Sequence, residues 1–222
     1  MRKDRLRGIK IIYEARDVLV ADKPPGLLTM ASERELEKTA YHILTDYVRK
    51  GQPKSRNRIF IVHRLDRDTS GLIIFAKTEH AKFFLQTLWD KVEKKYLAVV
   101  YGILTEKSGH VTTYLTENKA CRVYSTQNKS TGKLSTTAYK VLKEKNGYSL
   151  LEIDLITGRK NQIRVHLSDV GHPVVGDKKY GKNDGHKRLA LHAHSISFIH
   201  PFNKKLLKFE TKIPSYVTKF VS

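Results

Sequence analysis

The stretch that most constrains the fold of this chain is IVHRLDRDTSGLIIFAK, at positions 61–77. Its apolar flanks are typical of buried strands, yet Arg64, Asp66, Arg67 and Asp68 lie between them. One interpretation is that the acidic residues only shape a turn, because DTSG is rich in turn formers. The other is that Asp66 is a carboxylate held in a cleft, where it can act on a sugar as nucleophile or base. The spacing alone leaves both interpretations open.

The rest of the chain shows many strand patterns and few helical ones. Strand patterns occur at 11–23, 59–63, 71–77, 94–102, 109–115, 121–126, 135–145, 148–156 and 189–198, and helical patterns at 39–51, 78–92 and 161–171. Strands and helices do not alternate regularly, which predicts an α+β fold with a mostly antiparallel sheet. The length of 222 residues suits a single domain. We expect that domain at 11–222, after a basic arm at 1–10.

Positive charge is the strongest global signal in the composition. Lys and Arg number 42 against 22 Asp and Glu, a formal net charge of +20. Such an excess repels itself in a compact domain unless a polyanion offsets it, which favours nucleic acid as a partner. Two alternatives stay open, a membrane surface and a simple gain in solubility. No basic amphipathic helix with a bulky apolar face supports the membrane alternative.

Several classes of protein are disfavoured by the sequence. Cys121 is the only cysteine, so an internal disulfide and a cysteine-based zinc site are excluded. The apolar runs are too short to span a bilayer. The charged start, MRKDRLRGIK, lacks the apolar stretch of a signal peptide. We therefore expect a cytoplasmic protein.

Three further groups of residues are candidates for a functional site. Arg164 lies where a strand pattern turns into a helix, and it is suited either to a two-pronged pair with a buried carboxylate or to an ordinary surface ion pair. Tyr96 can stack on a base or belong to the core. His192 and His194 lie two apart on one face of a strand pattern, as metal ligands or as a structural pair. The residues alone do not decide among these.

Taken together, the motifs resemble the RluA-type family of pseudouridine synthases. The resemblance extends from about Ile11 to Pro201 and rests on motifs in the expected order. They are the opening segment DVLVADKPPGL, the catalytic motif HRLDRDTSG, the tyrosine motif KKYLAVVYG, the third motif TGRKNQIRVHLSDVGHPVVGDKKYG and the C-terminal motif LALHAHSISFIHP.

The resemblance implies a mechanism and a role for four residues. Asp66 would be the catalytic carboxylate, with attack on the sugar, attack on the ring and removal of a ribose proton all left open. Arg164 would pair with Asp66, Tyr96 would stack on the uracil, and Arg64 would fill the space that the flipped base leaves. The fold implied is a single α+β domain whose mixed, mostly antiparallel sheet carries a catalytic cleft.

The resemblance also implies the partners. The substrate would be a uridine in structured RNA, either ribosomal or transfer RNA, with no cofactor and no metal. We expect no DNA partner and no membrane partner, and we expect the protein to be a monomer. The alternative is a non-catalytic RNA-binding protein or RNA chaperone of the same fold.

Two departures from the family pattern stand out. Asn161 occupies a position where many members have His, and we expect this difference to alter a local hydrogen bond but to touch none of these roles. We expect no counterpart of the RNA-binding module that precedes the catalytic domain in larger members. RNA contacts are therefore expected from basic residues of the chain itself, namely Arg2, Lys3, Arg5, Arg7, Lys178, Lys179, Lys182, Lys187 and Arg188.

Overall fold

The computed structural model describes residues 6–31, 35, 37–52, 54–183 and 185–222. Arg2, Lys3 and Arg5 of the expected basic arm lie outside the described residues. The chain divides into two compact units, one of Met1–Val92 with Ser195–Thr211, the other of Glu93–His194 with Lys212–Ser222.

The first unit is built on an antiparallel arrangement of short strands. Its elements are β1 (Lys10–Glu14), β2 (Val18–Lys23), α1 (Ala40–Arg49), β3 (Phe60–Ile61), β4 (Ser70–Ala76), α2 (Glu79–Thr87) and a 3-10 turn at Trp89–Lys91. Strand β2 pairs with β1 on one side and β4 on the other, and β3 also pairs with β4.

The core of the first unit explains why β4 is a continuous apolar run. Every residue of β4 is buried, and Leu72 and Ile74 pack with Val18, Val20 and Leu85 in one cluster. The helices start where the sequence supplies capping hydroxyls. Thr39 accepts a hydrogen bond from the backbone N–H of His42, and Thr78 accepts one from Ala81.

The second unit is an antiparallel sheet with one principal helix. Its elements are β5 (Glu93–Tyr101), β6 (Ser108–Glu117), β7 (Val123–Thr126), β8 (Lys133–Lys145), β9 (Tyr148–Leu155), α3 (Gln162–Asp169) and α4 (Ser215–Thr218). Antiparallel pairing gives the order β5, β9, β8, β6, β7. Asn146 and Gly147 join β8 to β9 with φ of 53° and 76°, as a two-residue hairpin requires.

One strand contributes residues to both units, and the last strand of the chain pairs with it. Strand β10 (Leu191–Ile199) is followed by β11 (Leu206–Glu210). Within the first unit, Ser195–Ile199 pairs antiparallel with β11.

The predicted α+β class and the mostly antiparallel sheet are confirmed, and three features were not anticipated. These are β11, the short helix α4, and the end of α2 at Thr87, after which Trp89 lies in a separate 3-10 turn. The division of the chain at residue 11 stays a prediction. In the described residues, no helix is long and apolar enough to cross a membrane.

Candidate active site

The loop between β3 and β4 carries Asp66 in a half-buried position. Its neighbours differ in exposure, since Arg64 and Arg67 are exposed and Leu65 is buried. Leu65 is 6% exposed and lies between the exposed Arg64 and the half-buried Asp66. Arg64 and Asp66 therefore share one short, partly anchored segment.

The backbone on both sides of Asp66 is held by the segment that follows β2. Thr29 Oγ1 donates to the carbonyl oxygen of Leu65 at 2.8 Å and accepts from the Leu65 N–H at 3.2 Å. The carbonyl oxygen of Arg67 accepts from the Gly26 N–H at 2.9 Å. It also accepts from Nζ of Lys23 at 3.0 Å. Asp66 is thus flanked by two residues whose main chains are both fixed, as an active-site group requires.

Lys23 is fully buried, with an exposure of 0%. Besides Arg67, its Nζ donates to the carbonyl oxygens of Pro24 at 3.0 Å and Leu27 at 2.8 Å. Burial lowers the pKa of Lys23 to about 7, while the charges of Asp68, Asp66 and Asp22 act to raise it. Asp66 is therefore near enough to this cation to interact with it electrostatically.

His63 connects the start of the loop to β4. Its Nε2 accepts a hydrogen bond from the backbone N–H of Ile74 at 3.0 Å, so the ring proton of the neutral form belongs on Nδ1. The imidazole also packs against Trp89, with ring centroids 4.6 Å apart. His63 thereby orients the chain just before Arg64.

In the second unit, Arg164 forms a two-pronged ion pair with a carboxylate that the sequence did not identify. Nε donates to Asp177 Oδ2 at 2.7 Å and Nη2 donates to Asp177 Oδ1 at 2.8 Å. The two side chains are 9% and 0% exposed. Burial raises the pKa of Asp177, but the hydrogen bonds and charge of Arg164 and the backbone N–H groups of Tyr180 and Lys179 lower it below its ordinary value overall.

Asn161 bonds directly to this pair and so contacts Arg164, a candidate site residue; whether it affects the predicted roles stays a prediction. Its Oδ1 accepts from Nη1 of Arg164 at 3.2 Å, and its Nδ2 donates to the hydroxyl of Tyr180 at 3.0 Å. The residue has a left-handed backbone with φ of 54°, which Asn tolerates better than most residues. Asn161 therefore helps to hold the guanidinium of Arg164.

Comparison with known proteins identifies the family to which this architecture belongs. A family model described as "RNA pseudouridylate synthase" matches residues 17–169. The chain belongs to that family. Both the predicted RluA-type membership and the predicted enzyme class, an RNA pseudouridine synthase and hence an isomerase, are confirmed.

Individual relatives cover nearly the whole chain. An "Uncharacterized RNA pseudouridine synthase YlyB" of Bacillus subtilis is 33% identical over 96% of this chain and 72% of its own length. A "Ribosomal large subunit pseudouridine synthase D" of Borreliella burgdorferi is 34% identical over 96% of this chain and 68% of its own length. The protein of the same name from Nitrosomonas europaea is 36% identical over 93% of this chain, which spans 62% of that relative.

A solved structure gives the same fold. "Human RNA Pseudouridylate Synthase Domain Containing 1" superimposes with a TM-score of 0.76 at 25% identity, covering 99% of this chain and 89% of that chain. The α+β fold predicted from the family resemblance is therefore supported independently of the sequence motifs.

The remaining site candidates lie in the second unit. Tyr96 lies on β5 opposite Ile153 of β9 and is 7% exposed; its stacking on uracil stays a prediction. His192 is 1% exposed, and burial, followed by the effect of His194, lowers the pKa of His192 to about 4. The two rings are 6.5 Å apart. Within the described part of the chain, no group of three or more His, Cys, Asp or Glu residues is placed to hold a metal.

The basic residues expected to contact RNA are mostly available at the surface. The exposed members are Arg7, Lys178, Lys182, Lys187 and Arg188. Lys179 is half-buried and donates to the carbonyl oxygen of Cys121 at 2.8 Å. Their role in RNA binding stays a prediction.

Sequence reasoning missed three residues that hold the candidate residues in place: Lys23 and Thr29 in the first unit, and Asp177 in the second. Lys23 and Asp177 both lie inside motifs that the family resemblance had already marked, KPPGL and GDKKYG. Membership of these motifs is the signal that identifies both residues as candidates. Thr29 carries no such signal, because its bonds to Leu65 depend on how the chain folds back.

Proposed function

We propose that this protein converts one specific uridine of ribosomal or transfer RNA into pseudouridine. The bond from ring nitrogen 1 to ribose carbon 1′ breaks, the uracil turns, and ring carbon 5 bonds to the same ribose carbon. Carbon 5 loses its hydrogen and nitrogen 1 gains one, so atoms and electrons balance without a redox cofactor. The observation that carries the proposal is the Asp66 loop, which has the family's catalytic motif and a doubly anchored backbone.

Asp66 is the catalytic carboxylate of this proposal. Its half-buried position in a polar loop suits a group that must meet a substrate and remain oriented. The bonds at Leu65 and Arg67 restrict the backbone on either side, which limits the reorganisation needed when the substrate arrives.

Arg164 is the cation that supports the charged form of Asp66, as the family resemblance implies. The two-pronged pair with Asp177 and the bond to Asn161 use three of the five N–H donors of its guanidinium. A guanidinium held in this way has few rotamers left and presents its charge in a defined direction.

Tyr96 and Arg64 contact the flipped nucleotide in this proposal. A tyrosine on a rigid strand provides a flat surface for uracil and a hydroxyl for hydrogen bonding. Arg64 is exposed next to Leu65, where its planar guanidinium can occupy the space vacated by the base. Extruding a base from structured RNA costs a few kcal/mol, which such contacts offset.

Structured RNA is the proposed partner, and the net charge of +20 supports it. Several relatives are named "Ribosomal large subunit pseudouridine synthase D", which favours ribosomal RNA over transfer RNA. A cytoplasmic location and a monomeric state belong to the same proposal.

Comparative mapping of pseudouridine tests the function directly. Total RNA from cells with and without this gene should differ at one or a few uridines. RNA from the cells lacking the gene, made with uridine tritiated at carbon 5, should release tritium when the purified protein is added. The Asp66→Asn variant should release none above background and should still bind the RNA, because phosphate contacts provide most of the affinity.

The same measurements distinguish the alternative. A non-catalytic RNA-binding protein or chaperone would bind this RNA, leave every pseudouridine in place when the gene is removed, and release no tritium. An Asp66→Asn variant with near-normal tritium release would refute the assignment of Asp66.

A further inference from the structure

Two phenylalanines of the first unit lie largely in solvent. Phe83 of α2 and Phe202 of the turn between β10 and β11 are each 73% exposed, although phenylalanine is among the residues most often buried. One exposed apolar side chain is ordinary on a protein surface. These two lie on elements that touch each other, so they need a common explanation.

Lys204 connects the two elements. Its ammonium lies over the ring of Phe84, 3.7 Å from the ring centroid, which is a favourable cation–π contact. Phe84 is the chain neighbour of Phe83, and Lys204 follows two residues after Phe202. The turn is therefore held against the helix beside both exposed rings.

Hydrogen bonds inside the turn hold it in one conformation. The N–H groups of Phe202 and Asn203 both donate to Nδ1 of the buried His200, at 3.1 and 3.4 Å. The N–H of His200 donates to the carbonyl oxygen of Lys205 at 2.8 Å, and the N–H of Lys204 donates to that of His200 at 3.1 Å. A ring presented by such a turn loses little backbone freedom when a ligand binds.

Positive charge accompanies the exposed rings. The segment from Phe198 to Phe209 contains three lysines and no acidic residue, and Lys204 and Lys205 are exposed in the turn itself. We call the four residues Phe83, Phe202, Lys204 and Lys205 the phenylalanine surface.

The helix that carries Phe83 also contacts the start of the loop between β3 and β4. Gln86 lies three residues after Phe83, on the same side of the helix, and its Nε2 donates to the carbonyl oxygen of Val62 at 3.3 Å. Trp89, just after α2, packs on His63 with ring centroids 4.6 Å apart. RNA that reaches this loop can therefore continue over α2 within the first unit.

The chemistry of the phenylalanine surface fits single-stranded RNA. Unpaired bases stack on aromatic rings, and lysines neutralise the phosphates between those bases. Self-association through the same surface would bring Lys204 and Lys205 of two copies together, on chains that each carry a net charge of +20. Like-charge repulsion opposes such a contact.

We propose that the phenylalanine surface binds unpaired nucleotides of the substrate RNA that flank the target uridine, with bases stacked on Phe83 and Phe202 and phosphates beside Lys204 and Lys205. The inference rests on the proposed function, because it assumes that RNA is the partner. The surface touches the flanking nucleotides and not the reacting atoms, so its contribution is to affinity.

The binding probe is a fluorescently labelled oligocytidylate of about ten nucleotides, long enough to cover one such surface. It contains no uridine, so its binding does not depend on recognition of the target base. Phe83→Ala and Phe202→Ala should each weaken its binding about 5- to 100-fold, as the loss of one stacked base does. Both variants should bind an RNA duplex of the same length as wild type does, because its bases are already stacked on one another.

Further substitutions separate stacking from hydrophobic contact. Phe202→Trp keeps a flat ring and should retain the wild-type affinity for the oligonucleotide, whereas Phe202→Leu keeps only an apolar side chain and should bind as weakly as Phe202→Ala. Leu142→Ala is the control, because Leu142 is an apolar residue of β8 that is 47% exposed, and it should bind as wild type does. Wild-type affinity in Phe202→Leu would contradict stacking.

The salt dependence of binding tests the lysines. Lys205→Gln removes one phosphate contact, so the slope of log affinity against log salt should become shallower by about 0.7. Phe83→Ala should keep the wild-type slope, because stacking releases no counterions. An unchanged slope in Lys205→Gln would show that no phosphate lies there.

Sedimentation velocity tests the competing occupant, a second copy of the chain. We expect a monomer for wild type and for Phe202→Ala. A wild-type dimer that Phe202→Ala dissociates, with unchanged affinity for the oligonucleotide, would assign the surface to self-association and overturn the proposal.

Single-turnover tritium release from the labelled RNA described above keeps two failures apart. Phe83→Ala and Phe202→Ala should release tritium more slowly than wild type at limiting enzyme, and more enzyme should restore the rate, because the surface affects binding. Unchanged oligonucleotide affinity in both variants refutes the inference, whatever the result for Asp66→Asn. Weakened affinity in both variants, with no tritium release by wild type, would leave the surface as an RNA-binding site and refute the proposed catalytic function.

Discussion

Arg164 and Asp177 form a buried, two-pronged ion pair, with hydrogen bonds of 2.7 and 2.8 Å. Asp177 has no exposed side-chain surface, and its oxygens also accept from the backbone N–H groups of Lys179 and Tyr180. The carboxylate of Asp177 therefore connects Arg164 of α3 to the turn that contains Lys179 and Tyr180. An arginine fixed by its partner in this way keeps one orientation.

The first prediction concerns Asp177→Asn. The change leaves the charge of Arg164 buried without its carboxylate, which typically costs about 3 to 5 kcal/mol of unfolding free energy. We also expect tritium release to fall at least about tenfold, because Arg164 is no longer held in place. Urea denaturation and the single-turnover assay measure the two effects.

Asp154→Asn is the matched control for that variant. Asp154 lies in the same unit, is 54% exposed and pairs with Lys95 at 3.8 Å. Exposed pairs of this kind contribute about 0 to 1 kcal/mol, so stability and rate should both remain close to wild type. If the two variants behave alike, the pair of Arg164 and Asp177 has no special importance.

The second prediction is a double-mutant cycle. Arg164→Met alone should destabilise the protein by about 3 to 5 kcal/mol, because it leaves the buried carboxylate of Asp177 unpaired. Adding Asp177→Asn should restore part of that loss, because it removes the buried charge that Arg164→Met leaves unpaired at position 177. Thermal and urea melts of the two single variants and the double variant give the coupling energy. Simple additivity would show that the pair is not coupled.

Arg164→Lys extends the same experiment to geometry. Lysine keeps the charge but cannot form the two-pronged contact. We expect intermediate stability and a rate well below wild type. Full recovery of the rate by lysine would mean that only the charge at this position matters.

The third prediction concerns Asn161→Gly. Glycine adopts the left-handed backbone of Asn161 without strain, so the variant isolates the loss of the bonds to Arg164 and Tyr180. Leaving buried polar partners unsatisfied costs about 1 to 3 kcal/mol. We expect that loss in urea denaturation, with a smaller drop in rate than for Asp177→Asn. Unchanged stability would show that these two bonds contribute nothing net.

The parts of the site that sequence reasoning found are those determined by local pattern. Apolar flanks around a charged run placed Asp66 and Arg64 on a loop between strands, and that arrangement depends only on neighbours in the chain. The two-pronged contact of Arg164 was anticipated, but its partner Asp177 was not. The identity of a partner depends on tertiary placement, which residue type and spacing do not encode.

Lys23 was missed for a different physical reason. Lysine is expected at the surface. The carbonyl oxygens of Leu27 and Arg67, which help to compensate the burial of Lys23, come close to its Nζ only in the folded chain. The strand β11 was missed because it is short and three of its five residues are exposed, which leaves a weak hydrophobic signal. Local patterns therefore predicted the elements better than they predicted the buried polar contacts.

The last prediction is a loss of stability in mild acid caused by two buried histidines. Burial lowers the pKa of His166 to about 4 from its ordinary 6.5, against a smaller raising effect of Asp169; burial lowers that of His192 to the same value. His166 contacts the hydroxyls of Thr113 and Thr137 at 3.0 and 2.9 Å. These contacts satisfy the ring in its neutral form.

The sign of the effect follows from proton binding. Between pH 6.5 and about 4 the unfolded chain binds protons at these two positions and the folded chain does not, so the free energy of unfolding falls as the pH falls. Over the full window the protonation of each histidine lowers the free energy of unfolding by about 3 kcal/mol, at about 1.4 kcal/mol per pKa unit. Urea denaturation from pH 7 to pH 4.5 should show this slope, and His166→Gln and His192→Gln should each reduce it. Asp177, whose pKa is lowered, adds its own loss only at more acidic pH, so a slope that survives both histidine substitutions would assign the acid sensitivity to other groups.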